Sequence, residues 1–198
     1  MGNMIKATVR IRGTRPHLWN HFSVDMLGSS DGTRKAKSEG SAGNDPTEWQ
    51  RNHLVTPDGR LYDEPTYIFG CIREGAKHTK KGRGSIQPTV SATLQVLDDE
   101  IVFNRNMPAS LTQDRKEPVY LDVRGVNNPK TRAKNVRYRI AASPGWETEF
   151  TIMWDRTLVS VGEMRAVLND AGNLVGIGDG RAIGFGRFEV IGFETDGA

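Results

Sequence analysis

Cysteine is almost missing from this chain. Cys71 is the only one in 198 residues, so no internal disulfide can form. It falls in an apolar helical pattern and reads as a small core residue, which suits a reducing cytoplasm. Long apolar runs are missing as well. None approaches the length of a membrane-spanning helix, and Met1 to Arg10 has no signal-peptide core, so no membrane association is expected. Histidine is scarce: His17, His21, His53 and His78. There is no Gly-x-Ser-x-Gly elbow, Walker loop or metalloprotease helix. His17 and His21 have i, i+4 spacing, but Pro16 precedes them and no Cys or acidic motif follows, which argues against a metal site. No cofactor and no metal are expected. An excess of one charge is also lacking. The net charge is only +3, so any case for a nucleic-acid partner must rest on clustering.

Glycine and clustered cations are what the chain does have. Gly176, Gly178, Gly180, Gly184 and Gly186 crowd one stretch with Arg181 and Arg187, between a helix-like segment (Val161 to Leu174) and a strand-like one (Gly186 to Phe193). Glycine permits positive φ and close backbone approach. Successive N–H groups there can form a concave anion site, with Arg181 and Arg187 adding charge. The same run also reads as a tightly bent connection with solvated arginines. Val123 to Trp146 holds Arg124, Lys130, Arg132, Lys134, Arg137 and Arg139 and no acid. Within it, Val136 to Ile140 alternates apolar or aromatic with basic residues. Charge for a phosphate backbone and a flat ring for a base are what single-stranded nucleic acid requires. Tyr138 reads equally as core. A third cluster, Lys77, His78, Lys80, Lys81 and Arg83, closes a helix, where some cation excess is locally stabilising.

Periodicity gives the order of elements. Met4 to Arg12 alternates Ile5, Ala7, Val9 and Ile11 against Lys6, Thr8, Arg10 and Arg12, a half-buried strand with a basic face. That face either meets phosphates or is simply solvated. Pro46 to Asn52 predicts a short helix around Trp49, and Leu54 to Tyr62 a hairpin turning at Pro57-Asp58-Gly59. Pro65 to His78 predicts a helix with Ile68, Cys71, Ile72 and Ala76 inward. Val90 to Phe103 reads as one long strand or a hairpin broken at Asp98-Asp99. Val119 to Val123 and Trp146 to Met153 read as strands. Ser160 and Glu163 form a capping box for a second helix, with Val161, Met164, Val167, Leu168 and Ala171 as its stripe and Gly172 as its end. The result is α+β: a ferredoxin-like (RNA-recognition-motif-like) split β-α-β core with inserted loops and hairpins. Val24–Asn44 and Asn104–Lys134 are the expected insertions.

The run Gly-Phe-Gly-Arg-Phe-Glu-Val (Gly184 to Val190), ending a basic glycine-rich loop before a last strand, resembles the hallmark of the RAMP superfamily of CRISPR effector proteins. The chain also resembles a group of tailed-phage proteins. The matching positions there are Ile11 to Pro16, Pro57 to Tyr62, Lys81 to Gly84, Asn128-Pro129, Arg137 to Arg139 and the C-terminal loop. The resemblance implies a single RAMP-like domain over residues 1–198, in a host-cell cytoplasm if phage-encoded. It implies nucleic-acid binding and no reaction. The expected reading is a non-catalytic protein that grips the backbone of single-stranded DNA or RNA with little sequence readout, with homo-oligomers or filaments along the strand. Its expected contacts are Gly178, Gly180, Arg181, Gly184, Gly186, Arg187, Arg137, Arg139, Lys130, Arg132, Lys134, Lys80, Lys81 and Arg83. Two alternatives stand beside it. One is a metal-independent endoribonuclease using His17 or His21, as some RAMP members cleave RNA. The other is a structural protein whose basic loop grips an acidic partner.

Overall fold

Alternation along the first strand decides which face of the sheet is buried. Ile5, Ala7, Val9 and Ile11 are sequestered while Met4, Lys6, Arg10 and Arg12 face solvent. In the computed structural model, residues 3–21, 46–127 and 134–196 are described. The chain opens with β1 (Met4–Gly13) and β2 (His17–Leu18), and after one 3₁₀ turn (Glu48–Arg51) continues with β3 (Leu54–Val55), β4 (Arg60–Asp63) and α1 (Pro65–Gly75). A small hairpin follows, β5 (Lys80–Lys81) and β6 (Gly84–Ser85), then α2 (Gln87–Thr93), β7 (Gln95–Val96) and β8 (Ile101–Asn106). The remainder is β9 (Val119–Asn127), β10 (Lys134–Ala142), β11 (Glu147–Asp155), α3 (Val161–Asp170) and β12 (Phe188–Thr195).

The main sheet runs β12-β1-β11-β8-β4-β3, with β7 also on β11. Every recorded pairing is antiparallel. The fold is thus a mostly antiparallel sheet with few helices, of the α+β kind. The four core strands expected from periodicity lie side by side in the order last, first, third, second. Residues of α1 and α3 join the inward residues of β1 and β11 in one apolar cluster. A second sheet, β2-β10-β9, gives Val119, Ile140 and Ala142 to that cluster and has a small one of its own, Leu18, Tyr120 and Ala141, with Phe185 against it.

Several expectations change. Val90 to Thr93 belongs to α2, not to a strand: Pro88 sits in the first turn and Val90 is buried. Only Gln95–Val96 and Ile101–Asn106 of that stretch are extended. The expected insertion after Phe103 contains β9, which pairs with β10 along its whole length. The segment Gly28 to Gly43 lies outside the described residues. The hairpin at Pro57-Asp58-Gly59 forms as expected, with Leu54 opposite Tyr62. So does the capping box, in which the Glu163 N–H donates to Ser160 Oγ and the Ser160 N–H to Glu163 Oε2.

Gly172 does not end α3. The chain widens into a π-type turn, Ala171–Val175, closed when the Gly176 N–H donates to the Ala171 carbonyl at 2.8 Å. α1 crosses the chain closely at this point. A Cβ on Gly75 would stand 2.7 Å from Ala171 Cα, and Cys71 Sγ donates to the Ala171 carbonyl at 3.7 Å. Burial pushes the Cys71 thiol up to about 12.

Two outcomes are expected at this crossing. Gly75→Val should lower stability by about 2–3 kcal/mol, since the helices must part to admit the side chain, and denaturant unfolding checks this. Cys71 should ignore maleimide in the native protein and react fully once guanidinium unfolds it; rapid native labelling would contradict the packing described.

Candidate nucleic-acid interface

The glycine-rich stretch between α3 and β12 is wound by its own backbone. Gly176, Gly178, Gly180, Gly184 and Gly186 all adopt positive φ. At Gly186 a Cβ would stand 1.8 Å from the Ile177 carbonyl oxygen, and at Gly178 it would stand 2.4 Å from the His17 ring. Most of the amides expected to form an anion nest are used inside the protein. Ile177 N–H donates to Gly186 O, Asp179 N–H to Leu18 O, and Gly186 N–H to Pro16 O. Ile183 and Phe185 both donate to Gly180 O, Gly184 donates to Arg181 O, and Gly180 donates to Asp179 Oδ1. The loop is therefore a rigid frame carrying side chains, and not an open cradle of amides.

Two of the expected phosphate ligands on β10 are occupied. Arg139 is only 5% exposed, and its Nη1 donates to Asp179 of the loop. Arg137 pairs with Glu48 at 2.5 Å. Next to them, Asp122 accepts two hydrogen bonds from Arg124 at 2.5 Å each and holds that guanidinium above its ordinary value. Arg124 also lies over the Phe185 ring, 4.4 Å from its centroid. Arg139 and Asp122 are direct cross-strand partners on the two strands of the hairpin. The sequence shows a stretch with no acid, but folding supplies acids to it from β9, from the 3₁₀ turn and from the loop. Arg137 and Arg139 thus anchor the small sheet. Tyr138 is half-buried, and its N–H donates to Glu48 Oε2 at 3.1 Å.

Beside the loop lies an open groove of about 780 Å³. One wall is the outer face of α1, at Gly70, Arg73 and Glu74, with His78 beyond it. The other is the loop itself, at Gly178, Asp179, Gly180, Arg181, Ala182 and Arg187. Arg181 is exposed. Arg187 is half-buried, and its Nη1 is shielded from solvent without a hydrogen-bond partner among the described residues. Glu74 is already engaged by Lys77 at 2.5 Å and Arg73 at 3.4 Å. Gly178, Gly180, Arg181 and Arg187 of the expected contacts thus meet in one groove. Gly184 and Gly186 shape the loop behind it.

The other expected contacts separate. Lys80, Lys81 and Arg83 lie on or at the β5–β6 hairpin; Lys81 reaches Glu163 at 3.3 Å and the Leu158 carbonyl at 2.7 Å. Lys134 is exposed at the start of β10. Lys130 and Arg132 lie outside the described residues. Arg73 and Asp179 were missed by sequence reasoning. Arg73 was legible, since Gly70, Arg73 and Glu74 share i, i+3, i+4 spacing off the apolar stripe of α1.

Of the histidines offered as general bases, His17 lies in β2 and His21 in the irregular chain after it, neither on a helix face. His17 is fully buried among Trp19, Phe103 and Trp146, with Nε2 at 3.1 Å from Asp63 Oδ2. His21 is half-buried next to Asn52, whose carbonyl accepts its N–H. The open sheet face is not a bare basic surface either. Arg12 pairs with Glu147 at 2.6 Å and Glu189 at 3.8 Å, and Arg10 lies 3.7 Å from both Glu149 and Glu194.

Among the described residues no helix is long and apolar enough to cross a membrane. No family model matches the chain, and no curated protein matches it. Among solved structures, it is similar to a chain in the cryo-EM structure of the Type III-B Cmr-beta bound to cognate target RNA, with a TM-score of 0.56 and 14% identity. The match covers 97% of this chain and 60% of that one, so this chain spans less than two thirds of its structural neighbour's length. At that identity the likeness is one of fold.

Proposed function

We propose that this chain is a non-catalytic RNA-binding protein that holds the backbone of a single strand in the groove between α1 and the glycine loop. The observation that carries the reading is the groove itself. Arg73, Arg181 and Arg187 converge on it, and among the described residues Arg187 Nη1 has no hydrogen-bond partner. A guanidinium fork suits phosphate oxygens, and among the described residues no Phe, Tyr or Trp lines the groove to stack a base. Recognition of that kind reads charge and backbone spacing with little regard to sequence.

The neighbouring fold supports RNA over other polyanions, because the Cmr-beta assembly is bound to target RNA. The order of the four core strands, with α1 and α3 packed on one face, supports a ferredoxin-like core of the RAMP kind. On that reading the partners are a single strand of RNA and further subunits arrayed along it. The non-catalytic part of the proposal is supported by the position of His17, which no strand lying in the groove can reach without opening the aromatic cage.

Fluorescence anisotropy tests this with labelled single-stranded RNA and DNA of equal length, titrated at two salt concentrations. RNA should bind more tightly than DNA, and affinity should fall with salt. The Arg181→Ala/Arg187→Ala pair should weaken binding by about tenfold or more and flatten the salt dependence by roughly 0.7 for each phosphate no longer neutralised. Absence of binding by folded protein at low salt would overturn the reading, and equal binding of DNA would overturn its RNA preference.

A further inference from the structure

Arg139 and Asp179 form a pair whose two ends have different surroundings. The Arg139 side chain is 6% exposed, while that of Asp179 is 34% exposed and lines the groove. A carboxylate is a poor wall for a groove that is to hold phosphates, since like charges at short range repel. It is also the only acid between Gly176 and Arg187. Its backbone is held by the Leu18 carbonyl and its Oδ1 accepts the Gly180 N–H, so turning it away costs the side-chain hydrogen bond that helps hold the loop.

Resting on the RNA-groove reading, we propose that Arg139 and Asp179 set the charge of the groove. Arg139 is a positioning residue that reaches up from β10, neutralises Asp179 from behind and fixes the loop that carries Arg181. The cluster below is balanced. Asp122 and Asp179 are matched by Arg124 and Arg139, so removing either member of the upper pair leaves one net charge directly beneath the groove. The sign of that charge predicts the effect on a polyanion. With Asp179→Asn, Arg139 is no longer matched and the groove gains one positive charge. With Arg139→Gln, a partly exposed carboxylate is left unmatched and the groove gains one negative charge. With both substitutions the pair is neutral again.

The experiment measures the Kd of a single-stranded RNA oligonucleotide and its salt dependence for the wild type, D179N, R139Q and the double variant, with R10Q on the open sheet face as a control for overall charge. Thermal unfolding is followed in parallel. D179N should bind about threefold to tenfold more tightly, with a salt slope steeper by up to roughly 0.7. R139Q should bind about tenfold more weakly, and D179N added to it should restore affinity to within about threefold of wild type. R10Q should change Kd by less than about twofold.

A purely structural pair behaves otherwise. Its loss would weaken binding in all three variants in proportion to lost stability, without rescue, and that result overturns the inference while leaving the groove reading intact. If R139Q does not fold, the direction of the D179N effect decides alone: tighter binding upholds the inference and unchanged or weaker binding overturns it. If wild type binds no RNA, both readings fall together.

Discussion

At Gly186 the backbone passes so close to the Ile177 carbonyl that no side chain fits between them, and the two residues are joined there by a hydrogen bond. This contact pins the end of the glycine loop to its beginning. The Pro16 and Leu18 carbonyls then tie the loop to the turn after β1 and to β2. Arg181 and Arg187 are consequently projected from a frame that is already ordered. A flexible loop of the same composition would have to lose its backbone freedom on meeting a ligand, at about 1–2 kcal/mol per residue fixed. A second close approach in the same loop meets the core: Gly178 lies against His17, which packs with Trp19, Phe103 and Trp146. Loop geometry and core packing are therefore one constraint.

The ionic cluster at the base of the loop is the second tie. Buried ion pairs contribute little net stability, because desolvation offsets most of the attraction, while removal of one partner is strongly destabilising. Such a cluster is better understood as a device for register. Asp122 and Arg124 come from β9, Arg139 from β10 and Asp179 from the loop, so the small sheet can dock in only one way without stranding a charge. Phe185 on Arg124 adds an apolar check on the same alignment.

Much of the fold was legible because its core obeys simple periods. The alternation of Ile5, Ala7, Val9 and Ile11, the stripe Ile68-Cys71-Ile72 and the Ser160–Glu163 box each depend on neighbours a few residues away, and each formed as read. Val90 to Thr93 misled because an α2 of seven residues, with Val90 alone buried, is too short to display a helical period, and its β-branched residues favour the strand reading. The site was legible in part for a similar reason. Glycine at positive φ leaves a local signature. The partners of Arg137 and Arg139 do not. Asp179 lies 40 residues from Arg139, Glu48 lies farther still from Arg137, and only tertiary folding brings them near.

That distinction also changes what a basic stretch means here. A chain of net charge +3 has few cations to spare. On the open sheet face, Arg10 and Arg12 are matched by Glu147, Glu149, Glu189 and Glu194, so this face is closer to a screened ion-pair lattice than to a polyanion platform. On β10 the arginines meet carboxylates of their own protein. The groove at the glycine loop is different: among the described residues Arg187 there has an unpaired donor, Arg181 is exposed, and Asp179 is matched from below. Pairing on the sheet face and on β10 takes those arginines out of play, and a low net charge is then compatible with a local cluster of cations at the groove.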